Sequence, residues 1–196
     1  HMGAGERILQ PIYQAVTGTE LKLKQFYPTH MNRNRRVFEA GLEFATKGGV
    51  IDFTTSTTDF DLKHGEVAAA AALAEALAFG INPMQLTLSS DGNASLPIYD
   101  ADGELLGLQV GSVQSLYQSA RDAVLRHKVS LTEAICSISA APAAILGLKQ
   151  KGRIAPGLDA DVVLLRRDDL AIDTVIARGR VLVSDGEAVV KGTFER

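Results

Sequence analysis

Apolar residues recur along this chain with two periods, and the alternation between them predicts its elements. Ile8, Leu9, Ile12, Tyr13 and Val16 fall at helical spacing over residues 6–16, with Pro11 in the first turns. Residues 24–27 read as a short strand running into Pro28-Thr29-His30. Helical spacing returns over 35–46 through Val37, Phe38, Leu42 and Phe44, and Gly48-Gly49 stops it. Residues 50–55 are β-branched and aromatic, a strand; 64–79 form an alanine-rich helix closed by Gly80; 85–89 form a further strand that opens into Ser90-Asp91-Gly92-Asn93. Strand followed by helix, three times over short connections, means parallel strands with crossover helices. A turn-rich stretch, 92–107, precedes helices at about 110–127 and 130–148, the second interrupted near Pro142.

The texture changes near residue 150. Gly152-Arg153-Ile154-Ala155-Pro156-Gly157 is rich in breakers. Beyond it 161–165, 174–177, 181–184 and 187–191 read as short strands, with Asp185-Gly186 as a hairpin turn. The expectation is an α/β unit over 1–149 and a β-rich segment over 150–196.

Composition narrows the function. A hydrophobic fraction of 46% in 196 residues suits a globular chain with a sizeable core. A net charge of −3 without long single-sign runs argues against a nucleic-acid surface or a polybasic membrane patch. The most apolar segment, 67–79, is too short to span a bilayer. The lone cysteine, Cys136, allows no disulfide framework or thiolate cluster within one chain, and a reducing cytoplasm is the expected location.

In parallel sheets, ligand-contacting residues gather at the carboxyl ends of the strands. His30 follows the first predicted strand, Thr54, Thr55 and Ser56 close the second, and Asp91 follows the third. Imidazole and carboxylate at neighbouring strand ends are natural ligands for zinc and related ions. Each residue has a plainer reading: a lone histidine after a strand is usually solvated, and Asp-Gly is an ordinary turn. Arg33, three residues past His30, could reach an anion or lie on the surface, and Ser95 could stabilise its own turn. His64 and His127 read as helix-end residues, and Asp159 and Asp161 as part of a turn. His1-Met2 reads either as native sequence or as vector-derived.

Three blocks carry a family resemblance. Tyr27-Pro-Thr-His-Met-Asn-Arg-Asn34, Thr87-Leu-Ser-Ser-Asp-Gly-Asn-Ala-Ser95 and Val189-Val-Lys-Gly-Thr-Phe-Glu195 resemble the isoaspartyl (β-aspartyl) dipeptidases, binuclear zinc enzymes of the amidohydrolase superfamily. The stretch Gly152–Leu164, with Arg178–Val183, resembles the strand-rich tail of the wider superfamily. The implied fold is the second half of a (β/α)8 TIM-type barrel followed by a small β-rich sandwich segment. The resemblance assigns His1, His30 and Asp91 to metal binding, Asp91 also to proton transfer, and Arg33 and Ser95 to the substrate's carboxylate; it favours a native His1. It implies two divalent metals, a β-aspartyl dipeptide as substrate and a homo-oligomer. Family members also carry a first half barrel, with further metal histidines and a carbamylated lysine, that these residues do not contain. The isolated chain is therefore expected to be inactive until that half is supplied. Other readings are a dihydroorotase-like or deacetylase-like amidohydrolase, and a non-catalytic assembly partner.

Overall fold

The computed structural model of the chain describes residues 1–100 and 102–192. It is a mixed α/β structure whose core lies between helices and a short parallel sheet. In chain order the elements are α1 (Gln10–Val16), α2 (Arg35–Thr46), β1 (Ile51–Thr54), α3 (Asp59–Lys63), α4 (Ala69–Ala78), β2 (Leu86–Ser89), β3 (Ser95–Tyr99) and β4 (Leu105–Val110). They continue with α5 (Gln114–His127), α6 (Leu131–Cys136), α7 (Ala140–Ile145), β5 (Val162–Leu165), β6 (Ile172–Ala177), β7 (Arg180–Ser184) and β8 (Glu187–Ala188).

β1 and β2 are parallel and in register from Ile51 opposite Leu86 to Thr54 opposite Ser89. All four residues of β1 are buried, including the polar Asp52 and Thr54 that alternate with Ile51 and Phe53. Helix α2 begins where Asn34 accepts a bond from the Val37 amide at 2.9 Å, and it buries Val37, Phe38, Leu42, Phe44 and Ala45 against Ile51 and Phe53 of β1. The alanines of α4 let that helix approach closely; Ala72 and Ala76 are fully buried.

Several expectations change. The strand at 24–27 is absent: Leu23–Gln25 is a 3-10 turn. The following segment still runs beside β1, since the Asp52 amide donates to the Pro28 carbonyl and the Met31 amide to the Asp52 carbonyl, each at 3.0 Å. A regular parallel ladder would use residues 28 and 30; the extra residue is His30, whose φ of 62° marks a bulge-like insertion. The helix predicted over 64–79 starts only at Ala69. Val67 is held in place of a helical turn by Asn32, whose carbonyl accepts from the Val67 amide and whose side chain donates to the Val67 carbonyl. Within the turn-rich stretch, β3 and β4 form an antiparallel hairpin instead. The predicted helix over 130–148 is two helices, and Pro142 lies inside the second, near its first turn.

The last four strands make an antiparallel sheet in the order β5-β6-β7-β8. Its last strand is shorter than the predicted 187–191. Thr193-Phe194-Glu195, which close the third resembling block, lie outside the described residues. Among the described residues no helix is long and apolar enough to cross a membrane.

Candidate active site

The site is assembled beside β1 and at the carboxyl end of β2, by residues outside regular structure. His30 is 5% exposed and occupies the bulge beside β1. Asp91 follows β2 with φ of 48°, so both side chains spring from left-handed backbone, sparsely populated for residues with a Cβ. Asp91 has a reason to hold that shape. Its carbonyl accepts the Ala94 amide at 2.9 Å, and Gly111 passes so close that a Cβ there would lie 2.5 Å from the same oxygen.

His30 Nδ1 lies 3.6 Å from Asp91 Oδ2, a charge contact longer than a hydrogen bond. That nitrogen is buried without a hydrogen-bond partner among the described residues. The other ring nitrogen, Nε2, lies 3.1 Å from His1 Nδ1. Burial is the main cause holding the His30 imidazole below its ordinary pKa; Asp91 opposes it, while Arg33 and the chain's amino terminus reinforce it. A neutral imidazole is the form that binds metals. Asp91 Oδ2 accepts from Thr54 Oγ1 at 3.2 Å and Ser56 Oγ at 3.3 Å, so the hydroxyls that close β1 orient the carboxylate.

Whether these residues suit a metal can be judged from their spacing. Two nitrogens on one tetrahedral zinc, each about 2.0–2.1 Å from it, stand roughly 3.3 Å apart. The His1–His30 separation of 3.1 Å matches that edge, each ring offering one nitrogen, and the unpartnered His30 Nδ1 then carries the ring proton. Asp91, however, faces the opposite ring nitrogen. Among the described residues no group of three His, Cys, Asp or Glu side chains converges to hold an ion. The histidine pair fits; Asp91 does not join it on the same side.

Arg33 Nη1 lies 3.7 Å from Glu66 Oε2, with the arginine 39% and the glutamate 3% exposed. Glu66 also accepts from Thr57 Oγ1 at 2.8 Å, and burial, the largest cause, raises its pKa against those favourable contacts. The guanidinium is thus anchored on one side and half open on the other. Ser95 starts β3 opposite Val110, exposed, and its side chain has no hydrogen-bond partner among the described residues. The structure brings His1, His30 and Asp91 into a row and places Arg33 on Glu66; Ser95 makes contact with neither. His127 ends α5, as the sequence suggests, whereas His64 caps the end of α3 and does not begin the helix predicted over 64–79.

Three polar residues escaped sequence reading. Glu66 looked like part of a helix, and Asn32 like a loop residue. Asp52, 3% exposed, lies in the middle of β1. A charged residue between Ile51 and Phe53 was the signal that could have found it. A cavity of about 500 Å³, bordered by Met84, Ala143, Leu148 and Lys151, shares no residue with this site.

A buried imidazole, a hydroxyl-held carboxylate and an anchored arginine lie together on an α/β scaffold, and comparison with known families places that scaffold. The amidohydrolase family model matches residues 44–190, and the chain belongs to that family. Within it, the chain is similar to a β-aspartyl dipeptidase from Fervidobacterium islandicum AW-1, solved in complex with β-Asp-Leu dipeptide. The TM-score is 0.83 at 34% identity, over 98% of this chain and 49% of that one. The chain therefore spans about half the length of that relative. N-acetylglucosamine-6-phosphate deacetylase from Thermotoga maritima (TM-score 0.57, 19% identity, 88% of this chain and 48% of that one) shares the fold. So does an atrazine chlorohydrolase from Arthrobacter aurescens TC1, solved with zinc and atraton (0.52, 21%, 86% and 38%).

Proposed function

We propose that this chain supplies the carboxyl-terminal catalytic portion of a zinc-dependent β-aspartyl dipeptidase, with residues 1–149 forming half of a (β/α)8 barrel and 150–196 a β-rich companion segment. The observation that carries this reading is the row His1–His30–Asp91 at the strand ends, in a chain 34% identical to a β-aspartyl dipeptidase across nearly its whole length. The substrate class is a dipeptide joined through the aspartyl β-carboxyl group. Localisation in the cytoplasm and assembly into a homo-oligomer belong to the same proposal.

His1 and His30 would hold a divalent metal, which when bound supplies electrophilic activation of the amide carbonyl and a lowered pKa for water. Asp91 accepts the proton of the attacking water and returns it to the leaving amine. One carboxylate can serve both steps because Thr54 and Ser56 fix the same oxygen, leaving the second free to exchange a proton. Arg33 offers the open side of its guanidinium to the substrate's carboxylate, where a planar fork binds two oxygens at once. Glu66 keeps that fork from swinging out. Ser95, at the root of the hairpin, adds a hydroxyl donor once substrate is present.

These residues provide three donors at most and do not gather them around one point, so a complementing half barrel is needed for turnover. The test is hydrolysis of β-Asp-Leu against α-Asp-Leu with zinc added. It compares the 196-residue chain with the same chain joined in frame behind the first half of a β-aspartyl dipeptidase barrel. Turnover of the β-linked isomer by the joined protein alone is expected, with Asp91→Asn abolishing it. A folded, zinc-loaded joined protein that cleaves neither isomer contradicts the assignment, and efficient turnover by the chain alone contradicts the shared site.

A further inference from the structure

Asp52 lies on β1 between the segment that carries His30 and the strand that leads to Asp91. Its Oδ2 accepts two hydroxyl bonds, from Thr29 Oγ1 and from Ser89 Oγ, both at 2.5 Å. Thr29 immediately precedes His30; Ser89 ends β2, two residues before Asp91. The other oxygen, Oδ1, accepts from Thr87 Oγ1 at 2.6 Å, and Thr87 meets the Tyr27 hydroxyl at 2.5 Å. The backbone of Asp52 adds the two bonds to Pro28 and Met31 that bracket the His30 bulge. Alternation along a strand puts Asp52 and Thr54 on the same face, so the carboxylate lies one step below the hydroxyl that orients Asp91.

A carboxyl group this deeply buried is costly. Burial raises its pKa, and the three hydroxyls oppose that rise. An apolar residue would fill the space more cheaply, whereas a short carboxylate can receive both loops on a single atom. Each loop turns through left-handed backbone just beyond its hydroxyl, at His30 and at Asp91, where a small drift would swing the functional side chain.

We propose that Asp52 is a positioning residue that sets the separation of His30 and Asp91 by tying both loops to one carboxylate oxygen. The proposal rests on the reading of His30 and Asp91 as the working pair, but its test does not require turnover. Protein labelled with 15N at histidine gives ring-nitrogen signals from His1, His30, His64 and His127. His64 and His127, at helix ends, serve as internal references.

In Ser89→Ala the tether is cut on the Asp91 side only, and the His30 ring signals move while His64 and His127 stay in place. Asp52→Asn moves them as well, and Ser89→Thr, which keeps a hydroxyl, returns them to the wild-type positions. Thr87→Val removes the third bond to the same carboxylate together with the Tyr27 hydroxyl's partner, for which Tyr27→Phe is the control; it lowers stability but leaves His30 where Tyr27→Phe leaves it. A purely structural role for Asp52 would make Thr87→Val and Ser89→Ala equivalent, and that result overturns the proposal. So does a His30 signal that is unchanged in Ser89→Ala. If the tether stands while β-Asp-Leu is not cleaved by the completed barrel, the functional reading fails and the positioning role survives.

Discussion

Asn32 and Asn34 are two residues apart and chemically identical, yet removing them should have very different consequences. Asn32 is fully buried. Its Nδ2 donates to the Thr54 carbonyl at 3.0 Å and the Val67 carbonyl at 2.8 Å, and its Oδ1 accepts the Thr54 amide at 2.8 Å. It therefore stands in for a strand partner at the end of β1 and for a helical turn ahead of α4. Asn32→Ala leaves three buried main-chain groups without partners, at about 1–3 kcal/mol each when unsatisfied. Water entering the vacated space recovers part of this, so the expected loss is roughly 3–6 kcal/mol. That is about half of a typical domain's stability of about 5–15 kcal/mol. Asn34→Ala removes one half-exposed cap bond to Val37 and should cost about 1 kcal/mol. Urea unfolding of the two variants beside the wild type, followed by far-ultraviolet circular dichroism, gives the two losses from the midpoints at a common slope. If Asn32→Ala loses no more than Asn34→Ala, the reasoning that makes Asn32 a main-chain surrogate is refuted.

Other expectations follow from the same geometry. Gly111→Ala drives a Cβ to within 2.5 Å of the Asp91 carbonyl, a backbone clash that no rotamer relieves. It should destabilise by about 1–3 kcal/mol, measurable in the same urea series. Glu66 titrates above its ordinary value near 4.5, so the folded state binds its proton more tightly than the unfolded chain. Its contribution is most favourable at low pH and declines as pH rises from that ordinary value through the folded one; Glu66→Gln should flatten that decline in urea midpoints measured against pH. Asp169 behaves oppositely, held down to about 2 chiefly by Arg166. The stability it contributes is present above its ordinary value near 3.8 and is lost as pH falls toward 2, and Asp169→Asn should remove that acid dependence. On the hairpin, Leu106, Leu108 and Val110 alternate along β4 and are 66–74% exposed. Leu106→Glu with Leu108→Glu should reduce self-association in analytical ultracentrifugation without altering the circular dichroism spectrum.

Helix α2 and the pair β1 and β2 were legible in the sequence because apolar spacing, cap and burial agree there. Val37, Phe38, Leu42 and Phe44 repeat at helical intervals behind Asn34, and the core they meet is local. The region around His30 was not legible in the same way. Residues 24–27 have strand-like composition, but a 3-10 turn and the left-handed His30 reduce the pairing to two bonds, and no single-residue pattern announces an inserted residue. Val67 was read as helical because it adjoins the alanine-rich run; the bonds from Asn32, 35 residues earlier in the chain, end the helix short of it. In the β3–β4 hairpin the strands are exposed on nearly every residue, so no alternation of buried and polar positions marked them.

For the site, position at strand ends singled out His30 and Asp91, and the structure places them 3.6 Å apart. What position could not convey is the scaffold beneath them. Asp52, Asn32 and Glu66 act through partners up to 37 residues distant or through burial that only the folded chain creates.

The central claim is that His1 and His30 form this chain's share of a metal site. The direct measurement is the zinc content, after equilibration and gel filtration, of the 196-residue chain joined in frame behind the first half of a β-aspartyl dipeptidase barrel, for wild type and His30→Gln. Two zinc ions per chain in the wild type, with one lost in His30→Gln while the fold persists, is the predicted result. Zinc that fails to bind the wild type, or that His30→Gln retains at the same stoichiometry, would contradict the account.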